Sequence, residues 1–346
     1  MQFVKRIKVL VVDDSLLFRE VISRGISSDP NIEVVATAND PFDARDKIIQ
    51  YEPDVMTCDV EMPKMNGIEF IRRLLPQYPL PVIVVSIASS KVFDAMNAGA
   101  IDFVTKPDIK SVDKVESFIN EMILKVKIAS AAKLLNIKQG VSSQKVVADR
   151  NSDSNRIIAI GASTGGTEAI NSVLKQLPSS ISGIVVVQHI PPDFSRMFAE
   201  RLNETIALDV KEARTGDYIE KGHVLIAPGD QHMIIKRIGD RYKVECFVGD
   251  KVNGHCPSVD VLFESVAKEA GSRAIGIILT GMGYDGAKGL LSMRRNGART
   301  IGQDEESSIV YGMPKVAFNI GAVEKQAPLQ QIPRLIYSML NQNNLL

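Results

Sequence analysis

Two kinds of stretch alternate along this chain, and the alternation runs through it twice. Ile7–Val12, Glu33–Thr37, Val55–Cys58, Val82–Val85 and Ile101–Thr105 are short runs rich in Val and Ile. They are apolar at successive positions rather than at every second one, the mark of strands covered on both faces in a parallel sheet. Between them, Leu16–Ser27, Pro41–Tyr51, Gly67–Leu75 and Lys91–Ala98 repeat apolar residues with the helical period, and Val112–Val126 follows as a further helix. Five β/α units in succession predict an α/β fold, a doubly wound (βα)5 domain with helices on both faces of its sheet.

Beyond it, Ala129–Asn155 contains Gly140–Ser143 and the polar run Asp149–Asn155, and its apolar period fades. The expected organisation is a first domain over residues 1–125, a linker over 126–154 and a second domain over 155–346. The alternation restarts with Ile157–Ile160, Gly183–Val187, Ala274–Leu279 and Arg299–Ile301 as buried strands. Val224–Ala227, Met233–Arg237 and Lys243–Phe247 read differently, because turn signals at Pro228-Gly229 and Gly239-Asp240 separate them closely. The second domain is therefore expected to be a parallel-sheet α/β core with an inserted antiparallel hairpin.

Composition narrows the function classes. Of 346 residues, 45% are hydrophobic and 24% charged, ordinary for a folded protein. Lys+Arg and Asp+Glu balance at 41 each, and residues 1–154 hold 20 basic and 21 acidic ones. Neither half has the basic surplus of a DNA-binding output domain, so no nucleic-acid partner is expected. Three cysteines (Cys58, Cys246, Cys256) have no metal-like spacing and form no even framework, which points to a reducing, cytoplasmic setting. Lys5–Lys8 and Val9–Val12 imitate the start of a signal peptide, but Asp13 and Asp14 end the run. No apolar run approaches the roughly 18 residues of a membrane span, so no membrane insertion is expected.

Ligands of parallel sheets bind beyond the carboxyl ends of the strands. Asp13 and Asp14 follow the first strand, Asp59 the third, Ser86 the fourth and Lys106 the fifth. A lone Asp at a strand end is usually a solvated turn, whereas five such residues on one rim make a site. Carboxylates this close need a cation, and hard oxygen ligands suit Mg2+, which with Lys106 would neutralise a phosphoryl group. The segments VLVVDDS, DVEMPKMNG and DFVTKP resemble the receiver domain of bacterial response regulators, over roughly residues 5–125. The resemblance implies Asp59 as phospho-acceptor, with Asp13, Asp14, Asp59 and the backbone of Glu61 around Mg2+. It implies Ser86 as the residue that senses the phosphoryl group and Lys106 as one that contacts it. The Ser86–Lys106 segment is a few residues shorter than the family pattern.

In the second domain, Ile157–Ile160 runs into GASTGG and then a helix. A serine at such a turn is held exposed beside backbone N–H groups that suit an oxyanion, and Gly161, Ser163 and Gly165 fit G-x-S-x-G. Small residues at strand–helix turns also occur for purely structural reasons. His189 ends another core strand, whereas His223 and His232 fall in turns of the hairpin region and His255 in a loop. Asp285 follows the strand Ala274–Leu279. Ser163, His189 and Asp285 thus fit a nucleophile, base and orienting acid. Gly281, Gly283 and Gly286 also match G-x-G-x-x-G, with Asp304–Glu306 near the ribose-binding distance, so a dinucleotide site competes.

IGASTGG, VVVQHIPPDFSRMFAERLN, LIAPGDQHM, PSVDVLF, ILTGMGYDGAKGL and YGMPKVA follow in order the pattern of the chemotaxis protein-glutamate methylesterases, the CheB family. This resemblance implies Ser163 as nucleophile, His189 as base, Asp285 as its partner, the Met282 N–H in the oxyanion hole and Thr164 in support. It implies hydrolysis of γ-glutamyl methyl esters, and deamidation of glutamines, on methyl-accepting chemotaxis receptors, with no cofactor for the ester step. It also implies a chemotaxis histidine kinase as phosphodonor. Cys256 stands where the pattern has arginine, Tyr284 where it is often smaller, and His255-Cys256 lacks partners with metal-ligand spacing.

Overall fold

Both alternations fold as parallel sheets, each with its own core. The structure is a computed structural model that describes residues 5–87, 91–108, 110–132 and 156–341. The chain divides into two units, Met1–Leu134 and Leu135–Leu346.

The first unit carries β1 (Ile7–Val12), β2 (Ile32–Ala38), β3 (Val55–Asp59), β4 (Val82–Ser86) and β5 (Asp102–Thr105), in the order β2-β1-β3-β4-β5 with every pairing parallel. Every residue of β3 and β4 is buried, as a sheet covered on both faces requires. The covering helices are α1 (Leu16–Ile26), α2 (Pro41–Tyr51), α3 (Gly67–Leu74), α4 (Lys91–Asn97) and α5 (Val112–Ser130). Their starts follow capping chemistry: the Asp40 carboxylate accepts from Phe42 and Asp43 N–H with Pro41 next, and Asn66 accepts from Glu69 N–H. The helix expected to end at Val126 runs on to Ser130, because Phe118, Met122, Val126 and Ala129 keep the helical spacing and are all buried. Of the expected linker, residues 133–154 lie outside the described residues, as do 88–90 in the segment after Ser86.

In the second unit the strands are β6 (Ile157–Ala162), β7 (Gly183–Gln188), β8 (Asp209–Glu212), β9 (His223–Ile226), β10 (His232–Ile238), β11 (Arg241–Phe247), β12 (Ala274–Ile278), β13 (Arg299–Gln303) and β14 (Lys325–Ala327). Seven of them form a parallel sheet in the order β14-β13-β12-β6-β7-β9-β8, and β10 pairs β11 as an antiparallel hairpin. The sequence places Val224–Ala227 in the antiparallel insertion, but β9 lies inside the parallel sheet between β7 and β8. Its Val224, Leu225 and Ile226 are buried, the pattern of a two-sided strand, and Pro228-Gly229 ends that strand rather than turning a hairpin.

The helices are α6 (Gly166–Leu174), α7 (Phe194–Thr205), α8 (Val259–Glu269), α9 (Ala287–Arg295), α10 (Met313–Asn319) and α11 (Ile332–Asn341). Val259, Leu262, Phe263 and Val266 of α8 share one core with Met233, Ile235 and Val244 of the hairpin and with Ala159 and Ile278 of the sheet. The hairpin therefore clamps α8 onto the sheet. Phe263→Ala, at a fully buried position, is expected to destabilise the second unit by ~3–5 kcal/mol, read as a lower urea midpoint.

Candidate active site

Strand order decides where each unit gathers its chemistry. The connections diverge between β1 and β3 in the first sheet and between β6 and β12 in the second. Crevices open at the carboxyl ends of such pairs. Asp13 and Asp14 follow β1 and Asp59 ends β3, while Ser163 follows β6, the Gly281–Asp285 loop follows β12, and His189 follows β7.

In the first unit, one carboxylate oxygen each from Asp13, Asp14 and Asp59 lies within 4.8 Å of the others, with Asp13 and Asp59 buried and Asp14 exposed. Lys106 Nζ lies 2.8 Å from Asp13 Oδ2 and 2.6 Å from Asp59 Oδ2. The Phe18 ring lies 4.7 Å from that ammonium and was not singled out in the sequence. Ser86 is buried, and its carbonyl accepts from Lys106 N–H at 2.8 Å. Glu61 N–H donates to Asp59 Oδ1 at 3.2 Å, while its carboxylate meets Lys91 at 2.8 Å. Burial raises the Asp59 carboxyl above its usual range, and Lys106 offsets this only in part. Burial also opposes the Lys106 charge, but the two carboxylates outweigh it and hold the ammonium above its usual range. Three hard oxygen donors beside the part-buried Lys106 ammonium fit a small divalent cation such as Mg2+.

In the second unit, Ala162 pairs with Gln188 across β6 and β7, so Ser163 and His189 leave neighbouring strands side by side, ~4.8 Å apart. Ser163 N–H donates to Thr280 O at 3.0 Å, and Gln188 Nε2 donates to Ser163 O at 2.9 Å. Thr164 is buried, and its carbonyl accepts from Thr280 Oγ1 at 3.0 Å, which ties the loops after β6 and β12 together. Gly281 must be glycine: a Cβ there would lie 2.6 Å from Ser163 Cβ and 2.5 Å from Met313 Sδ. Met282 is the next residue after this contact, and its side chain is exposed.

His189 Nε2 lies 2.8 Å from Asp285 Oδ2. Asp285 also accepts from Val259 N–H (2.7 Å), Ser258 Oγ (2.8 Å), Asn253 Nδ2 (2.8 Å) and Asp260 N–H (3.3 Å). Two of these donors are first-turn N–H groups of α8, the positive end of its dipole. Because a carboxylate only accepts, the shared proton belongs to Nε2, and Nδ1 carries the lone pair. His189 Nδ1 is buried without a hydrogen-bond partner. Among the described residues no hydrogen bond joins Ser163 Oγ to His189. Asn253 and Ser258 were not singled out in the sequence and His255 only as a loop residue; all three come from the strap between β11 and α8. The His255 ring stacks on His189 with centroids 3.6 Å apart and planes 10° from parallel.

Residues 158–336 match the CheB methylesterase family model, and residues 9–115 match the response regulator receiver domain. The chain belongs to the CheB methylesterase family. The protein-glutamate methylesterase/protein-glutamine glutaminase 2 of Syntrophomonas wolfei subsp. wolfei is 60% identical over 338 residues, covering 98% of this chain and 99% of that protein. The methylesterase/glutaminase of Salmonella typhimurium is 45% identical over 340 residues, 97% of each chain. The crystal structure of the Thermotoga maritima CheB methylesterase catalytic domain is similar at a TM-score of 0.52 with 37% identity, over 53% of this chain and 98% of that one.

Within this CheB fold the glycine-rich loop after β12 has a packing role. A Cβ at Gly286 would lie 2.5 Å from Val259 Cγ1, and Asp285 turns inward to α8 rather than outward to a pyrophosphate. Asp304 Oδ1, the ribose-binding candidate, accepts from Ser307 N–H and Ser307 Oγ instead. Cys256 is half-buried, with its thiol raised by burial, and Tyr284 is exposed. No helix among the described residues is long and apolar enough to cross a membrane.

Burial opposes the Asp285 charge, but the bond and charge of His189, with Asn253 and Val259 N–H, outweigh it and hold the carboxyl far below its usual range. Burial, with the like charge of His189, lowers His255 from 6.5 to about 4, against the pull of Asp285. Unfolded His255 gains its proton below 6.5, and the folded residue only below about 4. Stability is therefore lost as pH falls through that window. In thermal melts, His255→Phe is expected to flatten the fall in Tm between pH 6.5 and 4 relative to wild type.

Proposed function

We propose that this chain is a phosphorylation-activated serine hydrolase that removes γ-glutamyl methyl esters from methyl-accepting chemotaxis receptors and deamidates receptor glutamines. Residues 1–125 are its receiver domain and 155–346 its catalytic domain, working in the cytoplasm. The observation that carries this reading is the His189 imidazole, bonded through Nε2 to an ionised Asp285 while Nδ1 is buried without a partner, on the turn next to that of Ser163.

Ser163 Oγ attacks the ester carbonyl carbon as His189 Nδ1 takes its proton. The imidazolium so formed is stabilised by Asp285. The Met282 N–H donates to the carbonyl oxygen as negative charge develops there, with Thr164 supporting the loop, and losing one such donor typically costs about a hundredfold or more in rate. Collapse breaks the C–O bond, and His189 returns the proton to release methanol. A water then repeats the sequence, with His189 as base, and frees glutamate and Ser163. With a glutamine the same steps break C–N and release ammonia. This reaction uses no cofactor.

Asp59 takes its phosphoryl group from a chemotaxis histidine kinase. Asp13, Asp14, Asp59 and the Glu61 backbone would hold Mg2+, which when bound supplies charge neutralisation for the phosphoryl oxygens. Lys106 contacts those oxygens and Ser86 senses them. The acylphosphate raises the activity of the catalytic domain by shifting a two-state population, and so feeds receptor adaptation.

The test is methanol release from methylated receptor membranes, with and without a small-molecule phosphodonor. Ser163→Ala is expected to lose activity by about a thousandfold or more; undiminished release would remove the serine mechanism. Asp59→Asn is expected to lose the response to the phosphodonor, and a response equal to wild type would overturn the receiver assignment.

A further inference from the structure

The strap between β11 and α8 carries a histidine that the triad chemistry leaves unused. Val252 and His255 exchange both backbone hydrogen bonds at 3.0 Å, closing a two-residue turn. At its tip Asn253 and Gly254 have φ of 53° and 85°. Positive φ at both positions is what a type I′ turn demands, and Asn-Gly is the pair that meets it most readily. From this tip the Asn253 amide reaches Asp260 and Asp285, each at 2.8 Å. His232 pins the base of the strap through Asp250 O (2.8 Å) and Ser258 N–H (3.2 Å). His255 is thus presented by a braced turn rather than by a loose loop.

We propose that His255 is a positioning residue, whose ring backs the His189 imidazole, fixes the plane in which Nδ1 faces Ser163, and stabilises the imidazolium. This rests on the serine mechanism proposed above. Two observations favour it. The Nε2–Asp285 bond holds one edge of the His189 ring, and Nδ1 has no partner of its own, so that bond alone leaves the tilt of the ring unset. The stack, 3.6 Å between centroids and 10° from parallel, supplies the missing constraint. Near-parallel stacking also suits a cation over a π face better than it suits two neutral rings. The contact therefore strengthens as His189 takes up the Ser163 proton. This requires His255 to stay neutral beside that cation. Burial, the His189 charge and Lys251 all press it that way, and Asp285, the opposing group, is occupied by five donors.

The test compares His255→Leu with His255→Phe in the full-length protein. Leu fills the space without a π face, and Phe keeps the face without a titratable nitrogen. Methanol release from methylated receptor membranes gives kcat and KM, and thermal melting checks that each variant is folded. For Leu a fall in kcat of about tenfold is expected with KM within twofold, and for Phe a kcat within about threefold of wild type. Equal kcat values for Leu and Phe overturn the stacking role. So does a Phe variant that is inactive, since His255 would then act through its nitrogens. Ser163→Ala run alongside separates the failures. If it is active, the serine mechanism falls and the role of His255 with it; if it is inactive while Leu matches Phe, only the stacking falls.

Discussion

The buried carboxylate of Asp285 is the constraint around which the second unit is arranged. An ion in a low-dielectric interior is tolerable only when its lone pairs are met. Here five donors of four kinds meet them: a histidine ring, an asparagine amide, a serine hydroxyl and two N–H groups at the start of α8. Three pieces of chain must be in register to bring these donors together. β7 delivers His189, the hairpin braces α8, the strap delivers Asn253 and Ser258, and the glycines after β12 let Asp285 turn inward. A second buried carboxylate, Asp260, shares the Asn253 amide and is raised by its burial and by Asp285. The network thus keeps one acid ionised beside another that resists ionisation.

The first unit answers the same problem with opposite means. Its carboxylates are brought together so that repulsion is relieved by one ammonium and, on the proposed reading, by a divalent cation. Lys106 bridges Asp13 and Asp59 at the point where β1 and β3 diverge. In both units the candidate site residues sit at the ends of rigid parallel strands or on the turns just after them, so their spacing is inherited largely from the sheet. The ~4.8 Å interstrand distance is what sets Ser163 beside His189.

Much of this was legible along the chain. Buried runs of four to six residues appear as parallel strands because β3, β4, β6, β7 and β12 are covered on both faces and cannot alternate. Two elements depart from the local pattern. Nearness in sequence and a Pro-Gly turn point β9 to the hairpin, yet its apolar run lies in the parallel sheet, and α5 runs past Val126 because its apolar spacing continues. Two strap residues carry local signals of their own: Asn253-Gly254 is a hairpin-turn pair, and Ser258 before Val259 and Asp260 reads as a helix cap.

The sequence by itself determined the two parallel sheets, the acids and lysine at the ends of the first, and the serine, histidine and aspartate at the ends of the second. These follow from local periodicity and from the rule that strands present their carboxyl ends to ligands. Only the tertiary structure decided which nitrogen of His189 meets Asp285, how that carboxylate is satisfied, and that His255 lies flat against the His189 ring. Those facts depend on where a strap, a hairpin and a helix N-terminus converge across more than thirty residues, and no local pattern encodes that convergence.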